Sequence, residues 1–125
     1  MFTIREGHLE PFARQAMSRF EARALKHLRD DLPGPTTAMT DDQLRQVIRT
    51  GLGQARSHGL LSEREAVGFI DAVVLLGPGF EDAPENGWAR QILKDRKLSP
   101  DEKARWLAMT AAEQHSSRHP RGDRA

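Results

Sequence analysis

The sequence predicts an all-α protein: a single compact domain of about five helices, with a long first helix and a central, apolar third helix. The main indication is four capping-box motifs, each followed by helical periodicity: Thr3–Glu6, Thr40–Gln43, Ser62–Glu65 and Ser99–Glu102. In this motif the hydroxyl accepts from an early backbone N–H, and the acid or amide side chain binds back to the cap residue. Composition agrees, because the 125-residue chain has no tyrosine and β-branched residues are sparse outside positions 67–74.

The first helix is predicted over about residues 4–32. Its apolar residues recur at three- and four-residue spacing and so form one stripe: Leu9, Phe12, Ala16, Phe20, Ala24 and Leu28. The opposite face is basic and carries Arg14, Arg19, Arg23 and Lys26. Proline has no N–H to donate, so a kink or break is expected near Gly7–Pro11. The proline-rich segment Pro33–Met39 is predicted to be a loop.

Two helices follow, at about residues 41–58 and 63–76. The second helix has one buried stripe and ends before Gly59, a typical residue at that position. The third helix is apolar on most sides, which is typical of a central helix. Asp71 is its exception, and lies either on a narrow polar edge or in the interior with a partner.

The last third of the chain contains a loop at Gly77–Glu85 and two more helices. The fourth helix is predicted from Pro84 or Glu85 to Asp95, and the fifth begins at Ser99. From about Gln114 the chain becomes polar and has little to bury. The predicted division is therefore a helical domain at 1–114 and a disordered tail at 115–125.

Composition disfavours several functional classes. The net charge is only +1, which gives no global field to attract nucleic acid or an anionic membrane. The longest apolar run, Ala72–Leu76, is too short to cross a bilayer, and the first residues lack a signal-peptide core. The chain has no cysteine. We therefore expect a cytoplasmic protein with no membrane partner.

No catalytic or metal-binding constellation is recognisable, so the prediction is a non-enzymatic protein without cofactor or metal. The five histidines are scattered and do not have zinc-site spacing. Gly77-Pro78-Gly79 is not followed by the Gly-Lys-Ser/Thr of a phosphate loop. A helix-turn-helix made of the second and third helices would place Glu63, Glu65 and Asp71 against DNA phosphates, which disfavours nucleic-acid binding. The Arg121-Gly122-Asp123 tripeptide matches an integrin-type signal, but we interpret it as a chance occurrence.

Two regions are candidates for binding a partner protein. Phe80 and Trp88 flank an irregular loop, and either both pack on the third helix or one of them anchors a partner. The long first helix, joined through a proline-rich segment, is suited to helix-to-partner packing. The candidate partner-binding residues are Arg19, Arg23, Phe80, Glu81, Asp82 and Trp88.

Several segments together carry a family resemblance: Met1–Glu6 with the basic helix after it, Leu44–Gly59, Ser62–Phe69, Leu76–Phe80 and Trp88–Leu93. Over nearly all of its length except the tail, the chain resembles a family of small helical proteins encoded in bacterial type VI secretion system loci, near spike proteins, effector adaptors and toxic effectors. The resemblance implies an accessory or chaperone-like protein that binds an effector or its adaptor. An immunity protein that neutralises a cognate toxin is the first alternative, and a small nucleic-acid-binding regulator is the second.

Overall fold

The computed structural model describes the backbone of residues 2–118 and the side chains of residues 13–118. Within this range the chain is all-α, as predicted, and has no strand. The helices are α1 (Phe2–Asp31), α2 (Pro33–Thr36), α3 (Asp41–Ser57), α4 (Glu63–Leu76), α5 (Gly87–Lys94) and α6 (Pro100–Arg118). Two single turns of 3-10 helix, Phe80–Asp82 and Pro84–Asn86, precede α5.

Three of the four predicted capping boxes are present. The hydroxyls of Thr40, Ser62 and Ser99 each accept from the backbone N–H three residues later, and the side chain of that later residue accepts from the cap residue's own N–H. The fourth motif, Thr3–Glu6, lies outside the described side chains. These reciprocal bonds fix where α3, α4 and α6 begin.

Helix α1 continues through Pro11, where the sequence predicted a kink or break. Phe20, Ala24 and Leu28 of the predicted stripe are buried, as expected. Ala16 was predicted to belong to the same buried stripe but is exposed, because it lines an open groove between α1, α3 and α4. Leu9 and Phe12 lie outside the described side chains.

The segment predicted as a loop at Pro33–Met39 contains the short helix α2. Pro33 occupies a first-turn position, where its missing N–H and fixed φ are tolerated. The Arg29 guanidinium donates to the carbonyl of Thr36 and, at 2.8 Å, to the carbonyl of Met39. The side chain of Arg29 therefore ties this turn to α1, which the local proline pattern did not reveal. The Thr36 carbonyl also accepts from the Met39 N–H.

Helix α4 is central, as predicted. It buries Ala66, Phe69, Ile70, Ala72 and Val73, and it packs mainly against α6 and α3. Leu44, Ile48, Leu52 and Ala55 of α3 meet it from one side. Ala104, Leu107 and Ala111 of α6 face inward on the other side.

Helices α4 and α6 run in the same direction. Arg64 lies 3.7 Å from Asp101 near their starts, and the His115 Nδ1 is 3.2 Å from the Leu75 carbonyl near their ends. Two parallel neighbours require a connection that returns along the bundle. Residues 77–99, with the two 3-10 turns and α5, form that crossover, and α5 packs against α6 and the first 3-10 turn.

Two glycines set the spacing of the three main helices. A Cβ on Gly68 of α4 would lie 2.8 Å from the Ala104 carbonyl oxygen of α6. A Cβ on Gly51 of α3 would lie 2.7 Å from Cγ1 of Ile70. Both distances are too short for a real methyl group, so the three backbones approach this closely only because glycine occupies these positions.

The predicted boundaries differ from the structure at two places. Helix α5 begins at Gly87, because Pro84–Asn86 forms a 3-10 turn instead of its first turn. The predicted tail at 115–125 begins too early, because α6 continues to Arg118. Arg118 donates at 3.1 Å to the Asn86 side chain, which is 2% exposed and donates in turn to the Phe80 carbonyl. Residues 119–125 of the predicted tail, including Arg121-Gly122-Asp123, lie outside the described part of the chain.

The glycine spacing can be tested with one substitution type at two helical positions. Gly68→Ala should lower the melting temperature, because the methyl group must displace backbone of α6. Gly53→Ala is the matched control, since nothing lies within 4 Å of its Cβ position. The control should stabilise the protein by about 0.5–1 kcal/mol through alanine's higher helix propensity. Equal melting temperatures for the two variants would contradict the close α4–α6 contact.

The central position of α4 predicts the result of a cavity substitution. Ile70 is 0% exposed, so Ile70→Ala removes buried methyl groups and leaves a void. The free energy of unfolding should fall by about 2–5 kcal/mol, measured by urea denaturation. Leu61→Ala is a suitable control, because Leu61 is 67% exposed. A parent-like midpoint for Ile70→Ala would place Ile70 outside the core.

Candidate protein-docking surface

The first described side chains of α1 are mostly exposed. The helix starts at Phe2, but the first buried residue among the described side chains is Phe20. Every residue from Ala13 to Arg19 is exposed except Met17, which is half-buried. We call residues 2–19 of α1 the arm. In the described part of the arm, residues 13–19, only Met17 packs against the core, and the other side chains are exposed.

A groove lies where the arm meets the bundle. It encloses about 270 Å³ and is lined by Ala13, Ala16, Met17 and Phe20 of α1, Leu52 and Arg56 of α3, and Glu63 of α4. Its floor is therefore apolar, and one cation and one anion stand at its rim. This is the pattern expected of a site for an amphipathic helix or a loop with apolar side chains.

Of the two arginines predicted as binding residues, Arg23 is joined to the rim of this groove through Glu63, and Arg19 directly precedes Phe20 in α1. Arg19 is exposed. Arg23 is one turn further on and forms an ion pair with Glu63, although both side chains are more than half exposed. Exposed pairs of this kind contribute little to stability, so both arginines remain accessible to a partner.

Phe80 and Glu81, also predicted as binding residues, are buried, at 2% and 7% exposure. The Phe80 ring lies 5.3 Å from Phe69 of α4 and 6.4 Å from Trp88, measured between ring centroids. Phe80 and Trp88 were predicted either to pack on the third helix or to include an anchor for a partner. The first alternative fits the structure, because both aromatic residues pack into the core. Gly79 allows this arrangement, because its positive φ of 76° turns the chain so that Phe80 points inward.

Glu81 was expected on the surface, yet its carboxylate is held inside the loop. One oxygen lies 3.3 Å from Nε2 of His58, the residue that caps α3. The other oxygen and the Trp88 indole nitrogen are buried without a hydrogen-bond partner. A buried carboxylate here ties the crossover to the end of α3. Asp82 is exposed, 3.5 Å from Arg90, and is the loop's accessible acid.

The two tryptophans should respond differently to substitution. Trp88 packs against the core, so Trp88→Ala should lower the free energy of unfolding by about 3 kcal/mol. Trp106 is 50% exposed, so Trp106→Ala should change it by less than about 0.5 kcal/mol. Chemical denaturation followed by circular dichroism measures both. If the Trp106 variant were the less stable one, the assignment of Trp88 to the core would be wrong.

His27 and Asp71, for which the sequence indicated no partner, are in contact in the structure. Nε2 of His27 lies 2.8 Å from Oδ1 of Asp71, whose side chain is only 16% exposed. Burial raises the pKa of Asp71 above its usual value, and the contact with His27 opposes that shift. The polar-edge interpretation of Asp71 is therefore wrong, and the alternative of an interior acid with a partner holds. Sequence reasoning missed the pair because its members are 44 residues apart.

The geometry around His27 does not form a nucleophile–base pair. The adjoining cavity of about 280 Å³ is lined by Phe20, Arg23, Ala24, His27, Glu63, Arg64 and Val67, and none of these carries a hydroxyl or thiol. Within the described residues, no group of three His, Cys, Asp or Glu side chains is arranged to hold a metal ion.

Helix α4 is also poorly placed to read DNA. As the second helix of a helix-turn-helix it would have to enter a groove, but α1, α3 and α6 all pack against it. Among residues 2–118, no helix has the length and low polarity that crossing a bilayer requires.

Three large apolar side chains are exposed that sequence reasoning did not select: Leu61, Trp106 and Met109. Trp106 and Met109 lie three residues apart on the outer side of α6. The sequence does contain a signal for the exposure of Trp106 and Met109. Both positions fall outside the helical stripe formed by Ala104, Leu107 and Ala111, all of which are buried.

Comparisons of the chain with models of protein families, with curated proteins and with solved structures give no match. The link to type VI secretion loci therefore rests on the sequence resemblance alone.

Proposed function

We propose that this protein is a non-enzymatic protein–protein interaction module that binds its partner through the arm and the groove at its base. The observation that carries the proposal is the mismatch between helix and core in α1. The helix begins at Phe2, whereas the first buried residue among the described side chains, which start at Ala13, is Phe20. At 1.5 Å per residue, the arm spans about 27 Å.

A helical segment with few packing contacts is stabilised when a partner covers it. Isolated helices are marginally stable in water, and most helical stability in proteins comes from packing of an apolar face. The described part of the arm receives little such packing, because Ala13 and Ala16 are exposed. A partner that covers the arm and fills the groove would supply the missing contacts.

The proposed partner is an effector of a type VI secretion system or the adaptor that loads it. Its support is the sequence resemblance and not the geometry. An accessory protein and an immunity protein both need only a complementary surface, so the same groove serves either role. We place the accessory role first, because the resemblance includes proteins encoded near spike proteins and adaptors as well as near toxins.

Matched substitutions on one helix test the surface. Ala16→Glu places a charge in the groove, and Ala22→Glu makes the same change at an exposed position outside it. Calorimetric titration with the products of adjacent genes should show at least a roughly tenfold weaker complex for Ala16→Glu, because an unpaired charge would be buried. Ala22→Glu should bind within about twofold of the parent.

Charge reversal provides a second test of the proposed surface. Arg19→Glu on the arm should slow association at low salt, and the loss should shrink at high salt. Arg96→Glu, at an exposed position between α5 and α6, should have no such effect. Parent-like binding by both Ala16→Glu and Arg19→Glu would refute the surface. Equimolar inhibition of a neighbouring toxin would indicate the immunity role instead.

A further inference from the structure

His27 joins two helices through both of its ring nitrogens. Nδ1 lies 2.8 Å from Oδ2 of Asp31, one turn further along α1. Nε2 lies 2.8 Å from Oδ1 of Asp71 on α4. The imidazole is therefore held between two carboxylates, one on its own helix and one on the central helix. We call these three residues the clasp.

The clasp needs one proton beyond those of a neutral imidazole. A neutral ring has one N–H and one lone pair, so it can donate to only one carboxylate. Its other nitrogen would then place a lone pair 2.8 Å from a carboxylate oxygen, which is repulsive. Both contacts are satisfied only when the ring is imidazolium, or when one carboxyl group carries the proton.

The charged residues around the clasp do not supply the positive charge that this proton provides. Asp31 faces it from α1 and Asp71 from α4. Three further charged residues line the cavity beside His27: Arg23, Glu63 and Arg64. Arg23 is bonded to Glu63, and Arg64 lies 3.7 Å from Asp101, so both cations are engaged with other carboxylates. Without its proton the clasp would hold two carboxylates and a neutral ring.

We propose that the Asp31–His27–Asp71 clasp is a proton-dependent latch that fastens α1 to α4 and loosens as the pH rises. The sign follows from linkage. The fastened state binds one more proton than the loosened state, so a rise in pH favours loosening. The inference concerns the isolated chain and holds whether or not the arm binds a partner.

The clasp lies where it can affect the attachment of α1 to α4. Helix α1 touches α4 at few places, and among the described residues of its apolar stripe only Phe20, Ala24 and Leu28 are buried. The clasp lies one residue before Leu28 in this stripe. The clasp and the exposed Arg23–Glu63 pair both join α1 to α4, so loss of the charge-assisted contact in the clasp weakens this attachment.

Hydrogen exchange on the full chain tests the latch. The protection of α1 amides from Ala13 to Asp31 is measured between about pH 5 and about pH 9. Rates are corrected for intrinsic exchange and referred to α6 in the same sample. The parent should lose α1 protection by roughly tenfold or more across this range, whereas α6 should not change.

Three variants separate the latch from ordinary unfolding. Asp31→Asn changes an exposed side chain and lets the cluster close with a neutral ring, because the amide can donate or accept. It should keep α1 protected at all pH values. His27→Gln cannot gain the proton, so α1 should be weakly protected throughout. His58→Gln alters the other histidine–carboxylate pair and should retain the parent's pH profile for α1. Parent α1 protection that does not change with pH, or a parent-like profile in Asp31→Asn, would overturn the proposal.

Discussion

The close approach of α4 to α3 and α6 is the constraint on which the rest of the structure depends. Gly68 lets α4 lie against the α6 backbone, and Gly51 lets α3 lie against Ile70. A helix enclosed on two sides must be apolar on most of its circumference, as α4 is. Because α4 and α6 run in the same direction, the chain must also cross back between them, which is the origin of the long segment at residues 77–99.

That crossover explains where the buried polar groups are. A connection that passes over the bundle must satisfy its carbonyls and still cover the core. Asn86 does so by donating to the Phe80 carbonyl while it accepts from Arg118. Glu81 contacts His58 at the end of α3. Phe80 and Glu81, which the sequence offered as binding residues, therefore hold the crossover on the bundle.

Helix α1 is bound differently from the other long helices. Its apolar contact is a narrow stripe, and much of its attachment is polar: Glu21 accepts from Arg49 of α3, Arg23 pairs with Glu63, and His27 meets Asp71. Polar contacts of this kind respond to salt and to pH, whereas the glycine-spaced packing of α4 does not. The molecule thus combines a fixed core with a helix whose attachment depends on salt and pH.

The sequence alone determined the helical class, the starts of α3, α4 and α6, and the central role of α4. Capping and periodicity are local properties, so residues such as Ser62 and its Glu65 partner can be recognised without knowing what surrounds them. The burial of Phe20, Ala24 and Leu28 followed for the same reason. Only the tertiary structure decided the rest, because those features depend on which elements meet. Periodicity continues the α1 stripe to Ala16, but there α1, α3 and α4 leave an open groove and Ala16 stays exposed. Asp71 is polar in any pattern, and only its proximity to His27, 44 residues away in the chain, makes it part of a clasp.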